Sequence, residues 1–518
     1  MGSVETVQSE SGISDNSPPK TDLKFLVPLV IALSLIYALF VAAAMQRRVW
    51  YDELFTLDIA SASTPTRVME LIHKWDLNPP LSYFLSRWSV QIFGHGKFGL
   101  RLPSILEFYT ASLFLFAFIR KRIGDAFALF SISILWEGPL FYYAVEARPY
   151  ALLLMFFSIL LYCWDRATSP DRPAWALAGT FFATLGLLLS HVFAPLSLAA
   201  IFGAEAVRFA RTKKADISLW IALLLPCLAM LTYIPLFRIY RPVIFPYPDQ
   251  ASFTRIGGFF KEAIWDSTAV LYASMLGFAI FRSRREKDRL TPVTPELLTI
   301  GCVLLCTPAV LNMVLMHGHR AFWPRYCITA AAATSIIYVF LFAYRSRAGR
   351  ASGYAAAALI LLYGSYNAAH TMRRGAVPGD SSALMTIKPE LPLVVENGLT
   401  FFEMNQFEDT GLLSRSYYLK DRPAAVRYSH STLFEDFEPP DRLDSEFHIR
   451  ANVDNYASFI SRHPQFLMFT SGNGTYWLVR KLRADGEQIE KIADVNVPYL
   501  DSEIYLVTIR NPETNSHE

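Results

Sequence analysis

The sequence predicts an α-helical polytopic membrane protein of about eleven transmembrane helices, with an α/β domain outside the membrane at its C-terminal end. Three observations predict it. Of the 518 residues, 53% are hydrophobic and 14% aromatic, above what a soluble globular chain carries. Long apolar segments recur from Phe25 to Ala369. The short connections after every second segment are rich in Arg and Lys, as cytoplasmic loops are.

Residues 1–22 hold Ser, Glu and Pro without periodicity and read as a disordered cytoplasmic tail. They lack the charged n-region and small-residue cleavage site of a signal peptide, so Phe25–Met45 is expected to stay as the first span. The loop 46–99 follows. Within it Leu81–Phe93 is apolar, but at 1.5 Å per residue it reaches only about 20 Å against a hydrocarbon core of about 30 Å. It is expected to lie at the interface. The remaining spans are Leu100–Ile119, Phe127–Tyr143, Tyr150–Trp164, Trp175–Leu189, Val192–Val207, Leu219–Phe237, Ser267–Phe281, Leu297–Met316, Tyr326–Ala343 and Tyr354–Ala369.

Charge sets the orientation. Arg120-Lys121-Arg122, Asp165–Arg172, Arg208–Lys214, Arg282–Arg289 and Arg345–Arg350 are short and basic, which puts them in the cytoplasm. The loop 46–99 and the connections Ala144–Arg148, Ser190-His191, Arg238–Trp265 and His317–Arg325 then face outside. Had Leu81–Phe93 spanned, the basic loops beyond it would change sides. A multi-pass protein of the cytoplasmic membrane is expected, with residues 23–371 as its membrane domain.

Residues 372–518 are polar, with no spanning segment. Leu391–Val395, Gln465–Thr470 and Ser502–Thr508 read as strands, and Tyr456–Ser461 and Tyr476–Leu482 as helices between them, which makes a small external α/β domain. It has no Gly-rich phosphate loop. The five cysteines fall within or beside apolar segments and read as small core residues, not as a disulfide or metal framework.

The chemistry is expected on the outer loops. Asp52 and Glu53 are adjacent carboxylates where the chain leaves the first span. Their mutual repulsion marks a site, and a solvated helix start is the plain alternative. Arg148, Arg320 and Arg325 lie in external loops, against the positive-inside trend. Bidentate binding of an anionic ligand would explain them, as would snorkelling to lipid head groups or pairing of Glu146 with Arg148. His191 is either a phosphate contact or a satisfied interfacial histidine. Asn78-Pro79-Pro80 is a contact loop or a rigid turn.

In chain order, Trp50-Tyr51-Asp52-Glu53, Asn78-Pro79-Pro80-Leu81-Ser82-Tyr83, Arg101-Leu102-Pro103-Ser104, Glu146-Ala147-Arg148-Pro149-Tyr150 and Ser190-His191-Val192-Phe193 resemble the GT-C membrane glycosyltransferases. The resemblance is to the bacterial branch related to protein O-mannosyltransferases and the aminoarabinose transferase of lipid A, and it covers roughly residues 25–370. It implies an inverting transfer of a sugar from a polyprenyl-phosphate donor to an acceptor hydroxyl at the outer surface of the membrane. Asp52 would be the general base, with Glu53 beside it orienting the acceptor or holding a divalent metal, Mg or Mn. Arg148, Arg320, Arg325 and His191 would bind the donor phosphate, and Tyr51, Asn78 and Tyr83 would form the acceptor and donor loop. The partners implied are the lipid-linked donor, the bilayer, and an acceptor glycan, lipid or protein, with no nucleic acid. A transporter of a lipid-linked or anionic solute is the alternative reading, and an assembly protein a third.

Overall fold

A computed structural model describes residues 23–76, 78–235, 251–264, 275, 293–317, 322–345, 349–374, 381–430, 449–471, 476–497, 499 and 501–510. The membrane part comprises α1 (Leu23–Ala44), α2 (Tyr51–Ala60), α3 (Pro65–Trp75), α4 (Leu81–Phe93), α5 (Lys97–Ile123), α6 (Asp125–Glu137), α7 (Tyr150–Ala167), α8 (Trp175–Ser190), α9 (Ala194–Thr212), α10 (Ile217–Leu224), α11 (Phe253–Ile264), α12 (Pro295–His317), α13 (Ile328–Arg345) and α14 (Gly349–Arg374). Among the described residues, six helical segments are long and apolar enough to cross a bilayer, and a seventh qualifies as a bent pair. The chain is a multi-pass membrane protein. Ten of the eleven expected spans fall on helices, and the expected span Ser267–Phe281 lies outside the described residues apart from Met275.

The lipid-facing surface follows from helical spacing. Val27, Ile31 and Leu35 recur every four residues on α1 and are all more than half exposed. A run of large apolar side chains on one helix face needs an apolar surrounding. The inner faces of α1, α5–α9 and α12–α14 share one apolar core. Cys163 and Cys327 belong to the buried set, but Cys302 and Cys306 are exposed on α12 and so are not the core residues expected. All five thiols are free.

Three of the basic loops are tied down at one end of the bundle, and Arg282–Arg289 lies outside the described residues. Lys121 Nζ lies 2.8 Å from Asp165 Oδ2, and Arg122 pairs with the same carboxylate, joining the ends of α5 and α7. Arg172 pairs with Asp216 at 2.7 Å, and Arg211 with Glu296 at 2.5 Å. Gly124, at φ +90°, makes the reversal from α5 into α6, a conformation that L side chains rarely adopt.

One expected span is broken and another starts late. Phe127–Tyr143 is not one helix: α6 stops at Glu137, and a 3₁₀ segment, Pro139–Val145, continues at an angle of 72°. Pro139 has no N–H to donate, and the residue before a proline avoids the helical region, so Gly138 is extended (φ −75°, ψ 171°). The helix expected from Val192 begins at Ala194, because His191 is extended (φ −150°, ψ 142°). Both positions lie at the end of the bundle where α2 sits. The helix expected at the interface, Leu81–Phe93, has those bounds as α4.

The C-terminal part is a six-stranded sheet of order β3-β2-β1-β4-β6-β5, with β1 Leu393–Val395, β2 Ser416–Lys420, β3 Asn452–Asn455, β4 Gln465–Thr470, β5 Gln488–Asp494 and β6 Glu503–Thr508. Strands β3, β2, β1 and β4 run parallel; β6 is antiparallel to β4 and to β5. Separate apolar cores cover its two faces. The helix Gly398–Phe407 seats Phe402 in a cluster with Val49, Leu54, Leu57 and Ala147, its ring 6.1 Å from that of Tyr51. The sheet domain is thereby docked on α2.

Reporter fusions test the orientation expected from the basic loops. A fusion after Arg122 should report cytoplasmic, and one after Met372 external. A cytoplasmic readout after Met372 would put α2 and the sheet domain on the wrong side of the membrane.

Candidate active site

The site is built on α2. Trp50 N donates to Glu53 Oε2 at 2.9 Å, so a first-turn carboxylate closes the helix start. Glu53 is fully buried and holds Arg101 through two bonds of 2.8 Å, Arg101 Nε to Oε1 and Nη2 to Oε2. Ala147 N donates to Oε1 at 3.0 Å. A carboxylate has about four lone-pair sites. Two arginine donors and two backbone N–H groups occupy them. Glu53 is therefore a brace, not the acceptor-orienting or metal-holding partner expected of it. It has no lone pair left for a cation. Among the described residues, no group of three or more His, Cys, Asp or Glu could hold a metal ion.

Asp52, one position earlier on the helix, points elsewhere. Its Oδ2 lies 2.8 Å from Arg325 Nη2, and the two side chains remain 21% and 17% exposed. This is the accessible acid of the pair. Arg325 lies near the rings of Trp323 and Tyr150, at 5.2 and 5.7 Å from their centroids. Its Nε is buried and makes no hydrogen bond among the described residues.

A second acid organises the loop residues. Asp76 Oδ1 accepts from Asn78 N and Asn78 Nδ2, both at 2.9 Å, which is an Asx turn. Its Oδ2 accepts from Tyr83 OH and from Arg148 Nη1, the latter at 3.1 Å. Arg148 Nη1 also approaches Tyr83 OH at 3.2 Å and Thr56 Oγ1 at 3.5 Å. Burial pushes the Asp76 carboxyl up, but the Arg148 charge and the hydrogen bonds from Tyr83, Asn78 and Arg148 outweigh it and hold the group below its ordinary range. Arg148 thus pairs with Asp76 and not with Glu146. Asn78 and Tyr83 support this pair. Asp76 was legible only as an acid two residues before Asn78-Pro79, a spacing that suits a side-chain turn.

Glu146 is left unpaired. It is 1% exposed, and neither carboxylate oxygen makes a hydrogen bond among the described residues. Burial raises it to about 7; the charges of Arg325 and Arg47 oppose this, and Glu53 and Asp52 reinforce it. His191 is buried against Tyr150, Phe193 and Tyr326, and its Nδ1 accepts from Phe193 N at 3.0 Å. Burial, with Arg148 and Arg325 nearby, lowers it to about 3, so the ring is neutral near pH 7. In this structure His191 thus stands as a neutral ring and not as the cation expected for a phosphate. Tyr51 packs against Phe55 and Phe402. Arg320 lies outside the described residues.

Residues 77–237 match the family model described as dolichyl-phosphate-mannose-protein mannosyltransferase. The solved structure of ArnT from Cupriavidus metallidurans in the apo state aligns over 93% of this chain and 98% of its own, at 14% identity and a TM-score of 0.57. ArnT from the same organism bound to undecaprenyl phosphate aligns over 94% and 98%, at 14% identity and a TM-score of 0.54. No curated protein sequence matches. The chain has the GT-C fold. Its fold extends through the C-terminal sheet as well as the helices, since both alignments span nearly the whole of each chain.

Two measurements follow from this geometry. Glu53→Gln leaves Arg101 buried without its anion, and breaking such a pair costs about 3–5 kcal/mol. Its melting temperature should fall sharply while that of Asp52→Asn stays near the parent. Equal melting temperatures for Glu53→Gln and the parent would remove the brace. Glu146 supplies a pH signature. With its folded pKa raised from 4.5 to about 7, the folded chain keeps a proton that the unfolded chain releases in that window. Stability should decline as pH rises from about 4.5 to 7, and Glu146→Gln should flatten that slope. An unchanged slope in thermal unfolding across the window would contradict the assignment.

Proposed function

We propose that this chain is a glycosyltransferase that moves a sugar from a polyprenyl-phosphate donor to an acceptor hydroxyl on the side of the membrane where α2 lies, with inversion and with Asp52 as the base. The observation that carries this reading is the Asp52–Arg325 pair. It joins the one accessible carboxylate of the Asp52-Glu53 motif to a guanidinium that still has a buried, unengaged Nε. The undecaprenyl phosphate bound to ArnT supports a polyprenyl donor. The outer ends of the spans support an acceptor arriving from the same aqueous side.

The roles follow from the contacts. Arg325 Nη2 orients the Asp52 carboxylate. The acceptor hydroxyl gives its proton to Asp52 as its oxygen bonds to the anomeric carbon. The bond from that carbon to the donor phosphate oxygen breaks, and the polyprenyl phosphate leaves with the electron pair. Arg325 Nε is the donor available to the charge that develops there. Arg148, neutralised by Asp76, acts as a positioning residue that holds the Tyr83 loop against α2. Neutral His191 can donate one hydrogen bond from Nε2, since Nδ1 is taken as an acceptor. Glu53 fixes the rotation of α2 and so the direction of Asp52. No step requires a metal between Asp52 and Glu53.

Asp52→Asn keeps the shape and most hydrogen bonds but cannot take the proton. Transfer in a membrane assay with labelled polyprenyl-phosphate sugar should fall by about 10²–10⁴-fold. Parent-rate turnover by purified, folded Asp52→Asn would exclude Asp52 as the base. Transmembrane movement of the intact donor without sugar transfer would favour the transporter.

A further inference from the structure

A cavity of about 510 Å³ opens between the outer ends of α1, α6 and α14. It adjoins the Asp52 site through the Tyr142–Glu146 segment but is lined by other residues. Arg47, just beyond the end of α1, lies on its wall. All three nitrogens of the Arg47 guanidinium are buried and make no hydrogen bond among the described residues. Gln46 Oε1, on the same wall, is in the same condition. The guanidinium lies over the Tyr142 ring, 3.3 Å from its centroid. Stacking fixes the plane of the group and leaves its N–H edges for an acceptor.

Burial pushes Arg47 below its ordinary pKa, Arg101 adds to this, and Tyr142, Glu53 and Glu146 oppose it without offsetting it. A desolvated guanidinium with no acceptor is unfavourable until an anion arrives. Arg47 also sits where α1 meets the head-group level, and Phe141 gives the cavity an apolar wall. Glu137 lines the same cavity, so the site as a whole suits a singly charged group better than a dianion. A phosphodiester carries one negative charge, and a phosphate monoester near two.

We propose that this cavity binds the phosphodiester head group of a membrane lipid, with Arg47 as the anion contact and Tyr142 as the stacking floor. It is a second lipid site, separate from the donor phosphate at Arg325.

The test uses the full-length chain in neutral detergent and isothermal titration with short-chain phosphatidylglycerol, inorganic phosphate or the matching uncharged diacylglycerol. The parent should bind phosphatidylglycerol at least about ten-fold tighter than either other probe, since charge-assisted hydrogen bonds are among the strong ones. Arg47→Gln should weaken that binding at least about ten-fold, and Arg47→Lys less. Thr371→Trp, which fills the cavity from an exposed wall position without altering Arg47, should weaken it as well. Arg325→Gln should bind like the parent. Parent-like binding by Thr371→Trp, or loss in Arg325→Gln with retention in Arg47→Gln, would overturn the proposal. So would inorganic phosphate binding as tightly as the lipid, which would mark a free-anion site. If Arg47→Gln lowers the melting temperature, Thr371→Trp decides. No sugar donor is used, so the outcome is independent of the role of Asp52.

Discussion

The ion pair between Glu53 and Arg101 governs the outer face of this molecule. Both side chains are fully buried, so the loss of hydration is large. It is offset because each polar atom finds a partner. Glu53 accepts from Arg101 twice, from Trp50 N and from Ala147 N. The remaining arginine donors go to the carbonyls of Arg47 and Arg48 at 3.2 and 2.6 Å. One contact thus fixes the chain leaving α1, the start of α2, the start of α5 and the turn before α7. Several groups around the candidate site are a short step from one of those anchors. Asp52 precedes Glu53, Glu146 and Arg148 flank Ala147, and Arg47 supplies a carbonyl while its side chain turns to a different cavity.

The three acid–arginine pairs around α2 form a series. Glu53–Arg101 is dry and saturated. Asp76–Arg148 is about one-tenth exposed and shared with Tyr83 and Asn78. Asp52–Arg325 is about one-fifth exposed. Each step outward leaves more of the pair open to a substrate. The inner two set geometry, and the outer one has capacity to spare. Exposure, more than proximity in sequence, separates the structural carboxylate from the one proposed as the base.

That separation was beyond the reach of the sequence. Asp52 and Glu53 are neighbours there, and nothing in Trp50-Tyr51-Asp52-Glu53 tells which one turns inward. A helix rotates about 100° per residue, so adjacent side chains diverge. The partner that claims Glu53 comes from α5, far along the chain. The span pattern was legible because apolar length and loop charge are local quantities. The break at Gly138-Pro139 was written in the sequence as a proline after a glycine, but hydropathy passes over it. Of the six strands, β1, β4 and β6 are central and carry apolar runs or clean alternation, and they were legible. Strand β3 is four residues of an edge, Asn-Val-Asp-Asn, and β5 is a mostly exposed edge with charged positions, so neither has a buried face to announce it. Strand β2 is short and bracketed by Arg415 and Lys420. Arg47 showed no signal because its meaning depends on an absent partner.

The seating of Phe402 beside Tyr51 bears on how the chain is made. The two residues are about 350 positions apart, and Arg325, Ile449 and Val453 also reach the surroundings of α2 from late in the chain. At synthesis rates of about 5–20 residues per second, Tyr51 emerges roughly 20–70 s before Phe402 can cover it. During that interval α2 has its inner brace but neither its outer cover nor the arginine that holds Asp52. The cover of α2 is thus supplied only after the helices of the membrane part have been made, and the surface that carries Asp52 stays open until the C-terminal domain arrives.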